Sequence, residues 1–416
     1  MHHFKYRDGE LFAEDIPVAE LAARYGTPLY VYSAATLRRH FNAFDSAFSA
    51  LPHLTCYSVK ANSNLCVLGL LAECGAGMDI VSGGELHRAL AAGVDPEKIV
   101  YSGVGKRPME IEQALAAGIL MFNVESTGEL KRISDIATRM GRTARVSLRI
   151  NPDVDPKTHP YISTGMRNNK FGLDMDNSLL AYEQAMRLPG IEPVGIDCHI
   201  GSQLTSIDPF LEALDKIVAF GERLTALGVP LRYLDLGGGL GITYNEEEPP
   251  HPTQFGEALT AALKDHPMTL LLEPGRVIVG NAGILVTEVV YTKTTPSKEF
   301  VIVDAAMNDL VRPALYDAFH AIGEVKKHGR PDKNVDVVGP ICESSDFLAR
   351  GREMPGVEAG ELLAVFSAGA YGFVMSSNYN SRPRAAEVLV DGEVAVLARK
   401  RESYEDLIAL ERECVE

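Results

Sequence analysis

A chain of 416 residues, 46% hydrophobic and 23% charged, has the composition of a soluble globular protein, and its length makes two domains the natural expectation. No apolar run approaches the roughly 18 residues of a transmembrane helix, and the polar start Met1-His-His-Phe-Lys-Tyr-Arg-Asp8 lacks the apolar stretch of a signal peptide. A net charge of −16 with no Lys/Arg-rich run argues against nucleic acid or an anionic membrane as partner, and six cysteines without Cys-x-x-Cys or zinc spacing fit a reducing cytoplasm and no metal site.

Along the chain a short apolar run, a polar or Gly-rich turn and a helical pattern recur. The apolar runs are His53–Val59, Met78–Val81, Ile99–Ser102, Met121–Val124, Arg145–Ile150, Gly195–His199, Tyr233–Leu236 and Thr269–Glu273. Segments between them, such as Ser63–Cys74, Glu85–Ala92, Met109–Ala117 and Ser126–Met140, carry helical periodicity. Ser82-Gly-Gly-Glu85 and Ser126-Thr-Gly-Glu129 match the capping box that opens a helix. Eight βα units predict a TIM barrel, with a doubly wound sheet as the alternative. In a barrel, function sits at the C-terminal strand ends, which here carry Lys60, Asp79, Ser102, Asn123, Arg149, His199, Gly237–Gly239 and Glu273–Arg276. That polar ring points to an enzyme.

After about Gly280 the pattern changes. Ile284–Lys293, Phe300–Asp304, Val335–Gly339 and Leu362–Ser367 read as strands without helical partners, and Val388–Val390 and Val394–Leu397 as a hairpin around Asp391-Gly392. A short helix is expected near Tyr404–Arg412. The expected division is therefore a barrel over 36–280 and an all-β domain over 281–416.

Three strand ends suggest chemistry, each with a plainer alternative. Lys60 closes the first strand, where partial desolvation would lower its pKa and leave an amine able to form an imine; taken alone, it reads more readily as a strand-end lysine reaching solvent. The glycines of Asp235-Leu-Gly-Gly-Gly-Leu-Gly241 would let backbone amides approach a phosphate, or form only a tight turn. Glu273 could keep a pyridine nitrogen protonated, or pair with Arg276. Of the cysteines, the five other than Cys342 read as small buried hydrophobes.

Taken together, Tyr57-Ser-Val-Lys60-Ala-Asn, His199-Ile-Gly-Ser202-Gln, Asp235-Leu-Gly-Gly-Gly239 and Glu273-Pro-Gly-Arg276 resemble the alanine-racemase-fold decarboxylases that use pyridoxal 5'-phosphate (PLP). Met307-Asn-Asp-Leu-Val-Arg312-Pro-Ala-Leu-Tyr316, Gly339-Pro-Ile-Cys342-Glu343-Ser-Ser-Asp, and Ala370-Tyr371-Gly with Asn378-Tyr-Asn-Ser-Arg-Pro are similar to the diaminopimelate decarboxylases among them. The motifs run in order across nearly the whole chain. The resemblance implies a PLP-binding barrel and a β-sandwich-like domain to which residues 1–35 contribute. It makes Lys60 the Schiff-base lysine, places His199 on the cofactor ring and Glu273 at the pyridinium, and assigns the phosphate to Ser202, Gly238, Gly239, Gly275 and Arg276. Asp79, Arg149, Pro274 and Tyr371 complete the implied cofactor set. The implied substrate is meso-diaminopimelate: Arg276, Arg312 and Tyr316 would bind its distal carboxylate and Glu343 its distal ammonium, with Tyr371 also in reach. Decarboxylation, with Cys342 protonating Cα, would give lysine. A cytoplasmic homodimer with shared active sites is implied as well, Cys342 and Glu343 coming from the partner chain. Action on another basic or D-centred amino acid, racemisation, and a non-catalytic PLP carrier are the competing readings.

Overall fold

Eight parallel strands pair in chain order, and the last returns to the first. They are β1 His53–Ser58, β2 Gly77–Ile80, β3 Ile99–Tyr101, β4 Met121–Val124, β5 Ala144–Asn151, β6 Ile191–Asp197, β7 Tyr233–Asp235 and β8 Thr269–Leu272. β8 closes the ring on β1 through Leu270↔His53 and Leu272↔Thr55, so the sheet is a TIM barrel rather than an open doubly wound one. The structure, a computed structural model, describes residues 2–155, 170–412 and 414. It separates into two compact units: His40–Ile242 with Glu247–Ile278, and Met1–Arg39 with Thr243–Glu246 and Val279–Glu416.

In the barrel unit, parallel strands covered on both faces need apolar side chains throughout, and β2, β3 and β4 are buried along their whole length. Cys56, Val100, Met121, Val194 and Leu271 pack together inside, each large side chain contributing about 1.5–3 kcal/mol by burial. Helices Leu65–Glu73, Gly83–Ala91, Pro108–Ala117 and Thr127–Arg139 occupy the segments whose periodicity predicted them.

The two capping boxes are only half realised. Ser82 Oγ accepts from the Glu85 amide at 3.2 Å as expected, but Glu85 Oε2 accepts from the amide of Val81 at 2.7 Å, one residue earlier than the motif requires. Ser126, Glu129 and the Glu125 amide repeat this arrangement. Both serines are fully extended, with φ of −157° and −161°, and it is the preceding amide that meets the carboxylate.

In the second unit the long strand Gly283–Thr294 is the spine, pairing with Leu29–Ser33, Glu299–Val303 and Leu362–Val365. Asp332–Val338 and Phe347–Pro355 extend the sheet on one side, and Ala386–Asp391 and Val394–Arg399 on the other. Phe4–Arg7, Glu10–Ala13 and Ile16–Pro17 form a small separate sheet. The closing helix runs Tyr404–Arg412. The hairpin turn lies one residue later than expected: Asp391 pairs with Val394, leaving Gly392, at φ 60°, and Glu393 as the turn. A single positive φ at the first turn residue suits glycine there.

The expectation for the cysteines needs correction. All six are free; Cys56 and Cys198 are buried, Cys66 and Cys74 are half-buried, and Cys414 is exposed, as is Cys342. Cys414 follows an exposed terminal helix and has no core to enter. Among the described residues, no helix is long and apolar enough to cross a membrane and no cluster suits a metal ion.

Candidate active site

The barrel gathers its polar residues at the C-terminal ends of its strands. β1 ends at Ser58, and one turn of 3-10 helix, Val59–Ala61, carries Lys60. Lys60 Nζ lies 2.6 Å from Oδ2 of Asp79, a wholly buried carboxylate on β2, so this lysine is not a solvent-reaching strand end. Ser58 Oγ donates to the same oxygen at 2.8 Å.

Glu273, directly after β8, accepts at Oε1 from Ser102 Oγ and Asn123 Nδ2, both at 3.2 Å. It forms no ion pair with Arg276 among the described residues, which removes the plainer reading of this strand end. Asn123 also donates to Asp235 Oδ2 at 3.0 Å, and Ser147 Oγ fixes the amide by donating to its Oδ1 at 2.5 Å. Arg149 pairs with Glu125 at 2.9 Å and donates to the His199 carbonyl at 3.3 Å.

Carboxylates outnumber cations here. Asp79, Asp197, Asp235 and Glu273 are all buried, and the basic groups acting on Glu273 are Lys60 and Arg149. Burial first, then Asp235 and Asp79, hold the Glu273 carboxyl well above its ordinary range, with Lys60 and Arg149 pulling it down. Burial and then Asp197 push Asp235 up to about 7. His199 is held well below the usual imidazole range by burial, Arg149 and Lys60. Its Nδ1 accepts from the Gly238 amide at 3.1 Å, so the neutral ring carries its proton on Nε2.

The glycine run is required by close backbone approach. A Cβ on Gly238 would stand 2.0 Å from the Glu273 carbonyl oxygen, and one on Gly239, at φ 125°, 2.4 Å from that of Gly201. The ends of β6, β7 and β8 therefore meet backbone to backbone beside Ser202, whose Oγ accepts from Arg276 Nη2 at 3.2 Å.

A PLP-sized group fits this chemistry. The surplus of buried carboxylates favours a cationic ring nitrogen, which would draw the Glu273 proton off. The glycine amides with Ser202 and Arg276 suit a phosphate. Asp79 Oδ1 and Asp197 Oδ1 are buried with no hydrogen-bond partner among the described residues, acceptors of the kind a polar ligand satisfies.

Lys60, Asp79, Arg149, His199, Ser202, Gly238, Gly239, Glu273, Pro274, Gly275 and Arg276 thus all belong to the barrel unit. Arg312, Tyr316, Cys342, Glu343 and Tyr371 lie in the other. There, Arg312 and Tyr316 stand on the short helix Arg312–Tyr316. Glu343 accepts from Tyr379 Oη at 2.7 Å and from Ser345 Oγ at 2.5 Å, and these bonds hold it below the usual carboxylate range. The Cys342 amide donates to Asn380 Oδ1 at 2.9 Å, and Tyr371 takes the left-handed conformation at φ 56°. Ser58, Ser147 and Asp197 were missed from the sequence. Asp197 was legible, because it precedes His199 by two residues and extended chain places alternate residues on one face.

The barrel and its polar mouth are those of the pyridoxal-dependent decarboxylases: residues 34–280 match the pyridoxal-binding domain of that family. Over 413 residues the chain is 54% identical to the diaminopimelate decarboxylase of Vibrio cholerae, covering 99% of each. The crystal structure of diaminopimelate decarboxylase from Helicobacter pylori complexed with L-lysine superposes with a TM-score of 0.93 at 45% identity, covering 95% of this chain and 100% of that one. The enzyme from M. jannaschii in complex with L-lysine gives 0.93 at 41% identity, covering 99% and 98%. The chain belongs to the diaminopimelate decarboxylase family.

Proposed function

We propose that this protein is a cytoplasmic, PLP-dependent carboxy-lyase that converts meso-2,6-diaminopimelate to L-lysine and carbon dioxide, the last step of lysine biosynthesis. The observation that carries the reading is the joint presence, in one barrel mouth, of Lys60 against a buried acid and of Glu273 held by Ser102 and Asn123. When bound, PLP supplies an aldehyde that captures the substrate amine and a protonated ring that accepts the electron pair left by departing carbon dioxide.

The chain's own residues do the rest. Lys60 would hold the cofactor, and Asp79 would pair its ammonium when the substrate amine takes its place. Glu273 would keep a bound pyridine nitrogen protonated, and the neutral His199 ring would pack against the cofactor. Ser202, the Gly238, Gly239 and Gly275 amides and Arg276 would bind the phosphate, with Pro274 in the same loop, Arg149 holding the His199 carbonyl, and Tyr371 assigned to the phosphate or the substrate. Arg276, Arg312 and Tyr316 bind the distal carboxylate and Glu343 the distal ammonium. Cys342 delivers the proton to Cα.

The test is carbon dioxide release from a panel of amino acids. Meso-diaminopimelate should far outperform lysine and ornithine, which lack a second amino-acid head. Arg312→Ala should lose about 2–4 kcal/mol of transition-state binding as the carboxylate loses its charged donor. Equal turnover of lysine by the unaltered enzyme would reject the substrate.

The working unit in this proposal is a homodimer whose sites are shared, Cys342 and Glu343 reaching the barrel of a second copy. Both are exposed in the single chain, which supports this, since a proton donor works best in a closed site. Lys60→Ala and Cys342→Ala homodimers should each be nearly inactive. Scrambling them makes about half the dimers mixed, each with one intact site, so activity should return to roughly a quarter of the unaltered enzyme. No return despite proven exchange would place Cys342 in its own chain's site.

A further inference from the structure

Arg312 is oriented by a histidine that no motif singled out. His320 is fully buried in the β unit, with Nδ1 2.8 Å from the Phe366 carbonyl oxygen and Nε2 2.9 Å from Arg312 Nη1. A carbonyl only accepts, so Nδ1 carries the proton; a guanidinium only donates, so Nε2 turns its lone pair to Arg312. The two partners leave a single tautomer, the neutral one. Tyr244 completes the grip: Arg312 Cζ lies 4.4 Å from the centre of its ring, which meets the His320 ring edge-on at 5.3 Å and 78°. The guanidinium is therefore held on its face by Tyr244 and along one edge by His320. Arg352 Nη1 donates to the His320 carbonyl at 2.8 Å, fixing the backbone from which the imidazole projects.

A histidine that merely fills a core has no need to meet an arginine, whose charge makes it a costly buried neighbour. A recognition arginine does need such a partner, because a bidentate fork selects a carboxylate only when its plane is set in advance. We infer that His320 is a positioning residue for substrate recognition. By fixing the Arg312 fork, it sets the discrimination between ligands that carry a distal amino-acid head and those that lack one. The inference rests on the reading of Arg312 as the carboxylate clamp.

The experiment uses PLP-loaded enzyme and two inhibitors: L-lysine, which keeps the distal head, and 1,5-diaminopentane, which lacks it. In His320→Asn the shorter amide still reaches the Phe366 carbonyl but not Arg312; His320→Leu removes both bonds. Loss of one charge-assisted hydrogen bond should raise KM for meso-diaminopimelate and the inhibition constant of L-lysine about tenfold in His320→Asn. The constant for 1,5-diaminopentane should hold, and kcat should change by no more than about twofold. His320→Leu should change in the same direction, and His320→Gln, whose longer amide can accept from Arg312, should recover most of the difference. Parallel weakening of both inhibitors, or no change in either, would return His320 to core packing. Arg312→Ala separates the two claims: if it leaves the ratio of the inhibitors unchanged, the clamp itself is wrong and the role of His320 falls with it. If Arg312→Ala alters the ratio and His320→Asn does not, only the positioning role fails.

Discussion

Lys60→Ala should lose the visible absorption of covalently held PLP and about 10⁴-fold or more in turnover, the scale on which removal of a covalent catalyst acts. Borohydride treatment of the unaltered protein should fix the pyridoxyl group on the peptide that contains Lys60. The barrel also has a fully buried lysine against which this is a real choice. Lys106 Nζ is satisfied by the Gly103 carbonyl at 2.9 Å, the Asn123 carbonyl at 2.7 Å and Glu129 Oε1 at 2.8 Å. Three acceptors hold the Lys106 ammonium between strand ends with its side chain wholly buried, whereas the Lys60 side chain, set against Asp79, remains 35% exposed. A pyridoxyl group mapped to Lys106, or to any other lysine, would overturn the assignment.

Glu273→Gln should fold, retain PLP and turn over ~10²–10³-fold more slowly, comparable to losing one preorganised electrostatic contact at a reacting centre. The substitution is conservative for the apoprotein, because glutamine keeps an oxygen to accept from Ser102 and Asn123. What it removes is the capacity to ionise. Burial, Asp235 and Asp79 raise the Glu273 carboxyl, so without a cation it favours the neutral form, which glutamine resembles. A protonated ring nitrogen beside it reverses that preference and is stabilised in return; an amide offers no such exchange. Near-normal turnover would make Glu273 a structural residue.

The barrel was legible because its strands are short, largely apolar runs separated by helical periodicity, two signals that differ in period. The β unit was only partly so. Leu29–Ser33 is buried at all five positions and gives no alternation to read, lying just before a helix. Phe347–Pro355 carries Arg350, Gly351, Arg352 and Glu353 in its middle and looks like a loop until its partner Asp332–Val338 is present. At the site, position at a strand end brought Lys60, Asp79, Arg149 and Glu273 together as candidates, and the family resemblance supplied their roles. Those that act through others, such as Ser147 on Asn123 and His320 on Arg312, were not found, because their meaning lies in contacts between segments far apart in sequence.

The order of synthesis and the order of assembly run against each other in this chain. Leu29–Ser33 leaves the ribosome well before either of its neighbours, one of which begins at Gly283 and the other at Ala386. Four buried apolar and aromatic residues, with the buried Ser33, must therefore stay unpaired while nearly the whole barrel is made. Even the barrel closes only when β8 returns to β1. Such long-range pairings fold slowly and leave strand edges exposed in the meantime. Loss of the segment from Ala386 onward would leave one edge of Leu29–Ser33 permanently open, so C-terminal truncation should damage the protein at its opposite end and favour aggregation over a shortened but soluble enzyme.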